Sequence, residues 1–280
     1  MRIADRIAEV RSAVQRVRGN GHTVGLVPTM GALHAGHVSL IERAATIDDF
    51  VVVSVFVNPT QFGPGEDYDA YPRRLEADAT IAAEHGAHIV FAPSVQEMYP
   101  PGASTFVEVE GLTDPLCGAW RPGHFRGVTT VVAKFFNAVA PDRAYFGQKD
   151  YQQMVVIRQM ARDLHMPIEV VACPTVREPD GLAMSSRNAY LTREQRAAAP
   201  ALHRGLLAGA EAVRQGAVPG DAVAVVTSHI EAEPLLRVQY VEAVDPHTLQ
   251  APDHSGPPML LAAAVFAGDT RLIDNTLIED

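Results

Sequence analysis

The chain of 280 residues is poor in cysteine, tryptophan and basic residues, and each shortage closes off a class of protein. Its two cysteines, Cys117 and Cys173, are far apart and in no C-x-x-C pattern. That argues against a disulfide framework or a thiolate metal site and for a reducing compartment, so we read both as structural and the location as cytoplasmic. Lys and Arg total 23 against 33 Asp and Glu, and the net charge of -10 repels polyanions. Nucleic acid is therefore not expected as a partner. No uncharged apolar run approaches the roughly 18 residues of a membrane span, so no membrane partner is expected either. The opening stretch MRIADRIAEVRSAVQRVRGNGH lacks the apolar core of a signal peptide. It places Ile3, Ile7, Val10, Val14 and Val17 at helical spacing, which predicts a surface helix ending near Gly21. Neither G-x-G-x-x-G nor the P-loop pattern occurs, so two common nucleotide-binding modes lose support.

With 47% hydrophobic residues the chain can bury a sizeable core, and its length suits one large domain with a smaller partner. Apolar, β-branched runs at Val24 to Val27, Phe50 to Val57, His88 to Ala92 and Ile168 to Ala172 alternate with helical stretches, predicting an α/β fold. That fold is a Rossmann-like, doubly wound parallel sheet. FVVVSVFV is apolar on both faces and suits a central strand. Pro72 is expected in the first turn of a helix running through Leu75, Ala79 and Ala82 to Gly86, with further helices over 127 to 140 and 150 to 164. TFVEVEGL alternates like an edge strand within a long irregular excursion.

Beyond about residue 175 the pattern changes. Thr192 with Gln195 forms a capping box, a helix is expected near 220 to 231, and LRVQYVEAV and MLLAAAVFAGDTRLIDNTLI read as antiparallel strands turning at Gly268 and Asp269. We therefore expect two domains. Residues 1 to 175 would form the nucleotide- and substrate-binding domain, and 176 to 280 a smaller α+β domain closing over the nucleotide.

Three segments carry chemistry. VPTMGALHAGH, residues 27 to 37, follows the first apolar strand and opens a helix, a position whose unpaired amides attract a phosphate. Gly31 and Gly36 allow close backbone approach, and His34 and His37 can share one face as ring N-H donors. The pair could also bind a metal or merely sit on a helix cap. In PTVREPDGLAMSSRNAY, Met184, Ser185, Ser186 and Arg187 form a loop of donors suited to a polyphosphate, though a solvated turn would look the same. In RAYFGQKDYQQMVVIRQM, Gly147 permits a turn, Lys149 brings a compact charge, Asp150 could cap a helix, and Gln153 lies one helical turn beyond Lys149. Asn58, Pro59, Thr60, Gln61 and Phe62 follow the central strand, and Gln61 can donate and accept at once.

The H-x-G-H pair with a basic, Ser-containing loop after the last parallel strand resembles the nucleotidylyltransferase superfamily, which includes class I aminoacyl-tRNA synthetases. More narrowly, VPTMGALHAGH, FVNPTQFGPGEDYDAYPR, RPGHFRGV, PDRAYFGQKDYQQ and PTVREPDGLAMSSRNAYL, in order over residues 27 to 191, resemble the pantoate-β-alanine ligase family. The resemblance implies ATP-dependent condensation of pantoate with β-alanine through pantoyl adenylate, releasing AMP and diphosphate, with Mg²⁺ beside the triphosphate. It places ATP against Met30, Gly31, Ala32, Leu33, His34, Ala35, Gly36 and His37, against Gly147, Gln148, Lys149 and Asp150, and against Val176, Met184, Ser185, Ser186 and Arg187. His37 is implied as proton donor, acting with His34, Lys149, Ser185, Ser186 and Arg187. Gln61 and Gln153 would hold pantoate, with Gln61 also near β-alanine, and a homodimer is implied. Protein ligands for the metal are not indicated. The chain departs from the family's frequent pattern at Gln148, where Glu is common, and at Ala77 before Asp78, where paired acids are common.

A sister adenylate-forming or nucleotidylyl-transferring enzyme would share the histidines and the basic loop. A synthetase would need a basic tRNA-binding surface that a charge of -10 does not favour. A non-enzymatic nucleotide-binding regulator would need neither Gln61 nor Gln153.

Overall fold

The computed structural model describes residues 1 to 279 and falls into two compact units. The first comprises Met1–Thr113, Arg121–Gln148 and Gln153–Pro174; the second comprises Asp114–Trp120, Lys149–Gln152 and the chain from Thr175 onward. The short segments at 114 to 120 and 149 to 152 were expected in the first domain and belong instead to the second unit. No helix among the described residues is long and apolar enough to cross a membrane.

In chain order the first half holds β1 (Arg2–Ala4), α1 (Ile7–Gly19), β2 (Val24–Thr29), α2 (Ala35–Ile47), β3 (Phe50–Val55), α3 (Leu75–Glu84), β4 (Ile89–Phe91) and the short α4 (Val95–Met98) and α5 (Cys117–Trp120). There follow α6 (His124–Val139), β5 (Arg143–Gly147), α7 (Tyr151–Asp163) and β6 (Glu169–Cys173). The six strands form one sheet, all parallel, in the order β1-β4-β3-β2-β5-β6. In β3, Val51, Val52 and Val53 are fully buried, as a strand covered on both faces requires. The chain winds outward from β2 through β3 to β4, then restarts on the other side of β2 with β5 and β6. The switch point of the sheet therefore lies between β2 and β5, and ligands bind such sheets at the carboxyl ends of the strands there.

Three expectations need correction. Ile3 is not on the first helix but in β1, which pairs with β4 at the sheet edge. TFVEVEGL is not a strand: Val107 donates its amide to Thr130 Oγ1 at 3.0 Å and accepts from Thr129 Oγ1 at 2.6 Å, so hydroxyls of α6 take the place of a neighbouring strand. Pro72 precedes α3 rather than entering it, and the helix starts at Leu75 after Arg74. Gly86, at φ +102, does stand just past the helix end, where a left-handed residue is needed.

In the second unit α8 (Arg193–Ala198), α9 (Ala201–Arg214) and α10 (Pro219–Glu231) precede β7 (Leu236–Val244), β8 (Met259–Ala267) and β9 (Thr270–Ile278), which pair antiparallel in that order. The Thr192 capping box is present. Gly268, at φ +60, opens the two-residue turn between Ala267 and Thr270, as a tight hairpin demands. One core joins Leu202, Leu206 and Ala210 of α9 and Val226 and Ile230 of α10 to Leu261, Ala263 and Val265 of β8. A Cβ on Gly209 would lie 2.3 Å from Val226 Cγ2, so glycine there sets the close approach of α9 to α10.

Toward the amino ends of the parallel strands, buried Asp48 accepts from Arg143 Nη1 at 2.8 Å and Tyr145 Oη at 2.5 Å. A Cβ on Gly25 would come within 2.6 Å of the same carboxylate, so the strand residue facing it has no side chain. Burial, reinforced by the hydrogen bond and charge of Asp48, pushes the Tyr145 phenol far above its ordinary value and keeps it a donor. Asp48→Ala removes the acceptor for this buried hydroxyl, and the expected cost is about 2 kcal/mol, read as a lower urea midpoint at unchanged slope.

Candidate active site

The segment after β2 is built around a carboxylate from α3. Asp78, 2% exposed, accepts from Ala32 N at 2.9 Å and from Leu33 N at 2.8 Å. Thr29 Oγ1 accepts from Gly31 N at 3.1 Å and donates to Ser54 O at 2.6 Å, tying the loop to β3. Gly31 has φ +88, and a Cβ there would meet Asp78 Oδ2 at 2.9 Å and Val55 Cγ1 at 3.0 Å. Glycine is therefore dictated by the loop's own packing and conformation. Ala32 also lies at positive φ, +51, a strained choice for a residue with a Cβ that the Asp78 contact sustains.

His34 is the N-cap of α2. Its Nδ1 accepts from Gly36 N at 3.1 Å, while His37 Nδ1 accepts from His34 N at 3.3 Å, a capping box made of two imidazoles. The ring centroids are 4.1 Å apart, so the two rings do share a face. A nitrogen that accepts a hydrogen bond carries no proton, so each neutral ring carries its proton on Nε2. A helix start and two Nε2-H donors thus coincide beside the switch point of the sheet. Among the described residues no group of three His, Cys, Asp or Glu is placed to hold a metal ion.

Gln61 lies in a single 3₁₀ turn, Pro59–Gln61, after β3. Its Oε1 accepts from Asn58 Nδ2 at 3.0 Å, and its Nε2 donates to Met30 Sδ at 3.3 Å. Asn58 is buried at 1% exposure and fully engaged: Oδ1 accepts from Tyr99 Oη and Thr60 Oγ1, each at 2.9 Å, and Nδ2 also donates to Gly127 O at 3.1 Å. The backbone of Gln61 is held separately. Its carbonyl accepts from His124 Nδ1 at 2.8 Å, and Arg121 Nη1 donates to His124 Nε2 at 3.0 Å. Arg121 also forms a forked pair with Glu66, at 2.7 and 2.6 Å. Burial would raise the Glu66 carboxyl, but the Arg121 hydrogen bonds and charge outweigh it and hold it below its ordinary value. Gln153 stands in the first turn of α7. It is not on one helix with Lys149, as expected, because 148 to 150 form a separate 3₁₀ turn. Gly147 and Gln148 end β5 and enter that turn.

In the second unit, Lys149 Nζ lies 3.7 Å from Asp150 Oδ1. Asp150 sits in the 3₁₀ turn before α7. Val176 and Met184 are joined by a Met184 N to Val176 O bond of 3.0 Å at the base of a small hairpin. Ser185 caps the 3₁₀ turn Ser186–Tyr190 by accepting from Arg187 N at 3.3 Å, which leaves its hydroxyl proton able to donate elsewhere. The expected phosphate donors are thus carried on two separate scaffolds, one in each unit.

Asp78, Asn58, Gly127 and the Glu66, Arg121 and His124 cluster support the candidate residues without being among them, although most stand inside the motifs that carry the resemblance. A Cβ on Gly127 would fall 2.3 Å from Thr60 O and 2.7 Å from Gln61 Cα, so α6 reaches the Gln61 segment only because position 127 lacks one.

A parallel sheet with imidazole and backbone donors at its switch point is the architecture of a nucleotide-using α/β enzyme. The chain belongs to the pantoate-β-alanine ligase family, whose model matches residues 2 to 277. It is 55% identical to the pantothenate synthetase of Moorella thermoacetica, over 100% of this chain and 99% of that one. Identity to the pantothenate synthetase of Pelotomaculum thermopropionicum is 54%, over 99% of each chain. Among solved structures, pantothenate synthetase from Thermus thermophilus superimposes with a TM-score of 0.95 at 50% identity, covering 100% of both chains. Pantoate-β-alanine ligase from Francisella tularensis, complexed with β-γ ATP and β-alanine, gives a TM-score of 0.81 at 35% identity over 99% of this chain and 97% of that one.

Gly127→Ala should displace the Gln61 backbone without touching the histidines. With Gln61 expected to hold pantoate, a shift of about 1 Å there costs on the order of a hundredfold, so kcat/KM for pantoate is expected to fall on that scale while KM for ATP stays near wild type. Steady-state kinetics with each substrate varied in turn check this.

Proposed function

We propose that this chain condenses pantoate with β-alanine using MgATP, through a pantoyl adenylate. The observation that carries the reading is the imidazole capping box: each Nδ1 accepts from the backbone of the helix start, so two Nε2-H donors stand at the switch point of the sheet. Family membership and the Francisella relative's complex with β-γ ATP and β-alanine support it.

In the first step a pantoate carboxylate oxygen forms a bond to the α-phosphorus as the bond to the bridging oxygen of pyrophosphate breaks. Charge moves onto the leaving group, and the chain's task is to place donors where it accumulates. We assign this to Nε2 of His34 and His37, to Lys149 and Arg187, and to the hydroxyls of Ser185 and Ser186, with His37 the proton donor. The backbone of Met30 to His37, the turn Gly147 to Asp150, and Val176 and Met184 complete the contacts to ATP. Gln61 and Gln153 hold pantoate, the second lone pair and second N-H of the Gln61 amide being suited to a hydroxy acid. In the second step the amine of β-alanine, also near Gln61, attacks the acyl carbon; AMP leaves and the amine gives up its proton.

Mg²⁺ is assigned to ATP as part of the substrate, since it is commonly held by phosphates with one or two carboxylates rather than by a protein cage. Asp78 has both carboxylate oxygens engaged by backbone amides. A net charge of -10 supports small molecules rather than nucleic acid as partners. A homodimer and a cytoplasmic location complete the proposal.

Pyrophosphate release from MgATP is expected to require pantoate, and AMP with pantothenate to appear only once β-alanine is added. Release that ignores pantoate but responds to another acid would overturn the substrate assignment. Lys149→Ala and His34→Ala are each expected to slow single-turnover adenylate formation by about two orders of magnitude, the scale for losing a charge-stabilising donor.

A further inference from the structure

Asp274 and Asn275, consecutive residues of β9, lie far in sequence from the motifs within residues 27 to 191, and both are buried, at 3% and 9% exposure. The Asp274 carboxylate accepts Nη1 of Arg177 at 2.6 Å on one oxygen and Nη2 at 3.0 Å on the other. Its Oδ1 also accepts the amide of Asn275 at 2.8 Å. His203 Nδ1 is 3.7 Å from Oδ2 and makes no hydrogen bond; burial, followed by the nearby Arg177 charge, lowers its pKa. Arg177 is therefore the partner that neutralises this carboxylate. A buried acid is tolerated only when paired, and a two-toothed pair fixes orientation as well as charge.

Arg177 stands at the stem of the hairpin that carries the Ser-Ser-Arg turn. Its backbone bridges Ala183, its Nη1 donates to Gly181 O at 3.1 Å, and the next rung joins Met184 to Val176. Fixing Arg177 therefore fixes the point from which Ser185, Ser186 and Arg187 depart. The adjacent Asn275 serves a second segment: its Nδ2 donates to the carbonyl of Lys149 at 2.9 Å. Two neighbouring side chains of one strand thus hold the two segments of this unit that bear the proposed phosphate donors.

We propose that Asp274 and Asn275 are positioning residues for adenylate formation, setting the Ser185 to Arg187 turn through Arg177 and Lys149 through its carbonyl. The proposal rests on the ATP-site assignment made above. Neither residue is required to touch a substrate, and neither bears on the attack of the amine. Their loss should therefore separate the two half-reactions.

The test uses full-length Asp274→Asn, Asn275→Ala and Arg177→Lys in two assays. One is single-turnover pyrophosphate release from MgATP with pantoate; the other is pantothenate formation from supplied pantoyl adenylate and β-alanine. Each variant is expected to slow the first reaction by about tenfold or more and to raise KM for ATP, with KM for pantoate and the second reaction within about threefold of wild type. Arg177→Lys keeps the charge but loses the fork, and should fall between wild type and Asp274→Asn. Equal loss in both reactions, as from a smaller folded fraction, would overturn the proposal, and so would wild-type rates of pyrophosphate release. If Asp274→Asn does not fold, the other two variants decide by the same criteria. Wild-type protein serves as the control: if it releases no pyrophosphate with pantoate, the functional reading itself has failed.

Discussion

A carboxylate that accepts two backbone amides, Asp78 on Ala32 and Leu33, is the contact on which the carboxyl end of the sheet, the proposed nucleotide site, depends. The loop between β2 and α2 must turn sharply to start a helix beside the strand it leaves. It does so through two successive residues at positive φ, one of them an alanine. Such a conformation costs about 1 to 3 kcal/mol at a non-glycine residue and persists only where its surroundings over-determine it. Asp78 supplies that determination from α3, a rigid element, and the histidine pair inherits its place from the loop so fixed.

The same division of labour recurs. Asn58, buried and with its amide fully engaged, holds Gln61 by the side chain while His124 holds its carbonyl. Asp274 and Asn275 hold the segments that carry Arg187 and Lys149. In each case a buried polar group governs an irregular segment and is itself fully satisfied, which makes it costly to move. The side chains proposed to meet substrate are the outer layer of these arrangements. They gain precision from residues that have no chemical part in the reaction.

How much of this was legible in the sequence followed from the range of each interaction. β2, β3, β4 and β6 were visible as β-branched runs, and the C-terminal hairpin as alternating strands joined by Gly268 and Asp269. β1 was missed because three residues give too little pattern and Ile3 also fits the period of the following helix. β5 was missed because a five-residue strand bounded by Arg143 and Gly147 offers only a brief apolar run. The false strand at TFVEVEGL had the right alternation but the wrong neighbour, two threonine hydroxyls of α6. The candidate site residues were legible because they stand in local motifs just after strands. Their supports were not, since Asp78 acts on residues 45 and 46 positions away, His124 on one 63 away and Asp274 on one 97 away. A single sequence carries no local trace of pairs so distant.

The imidazole capping box has a consequence for the interchangeability of its members. His34 and His37 each perform two tasks through opposite sides of one ring: Nδ1 terminates the helix by accepting a backbone amide, and Nε2 presents a proton. No other neutral side chain joins an acceptor and a donor across a rigid five-membered ring at that separation. Asparagine or glutamine can imitate one edge of the ring, but not both at the same distance. A change at either position therefore alters the geometry of the helix start and the chemistry of its donor together.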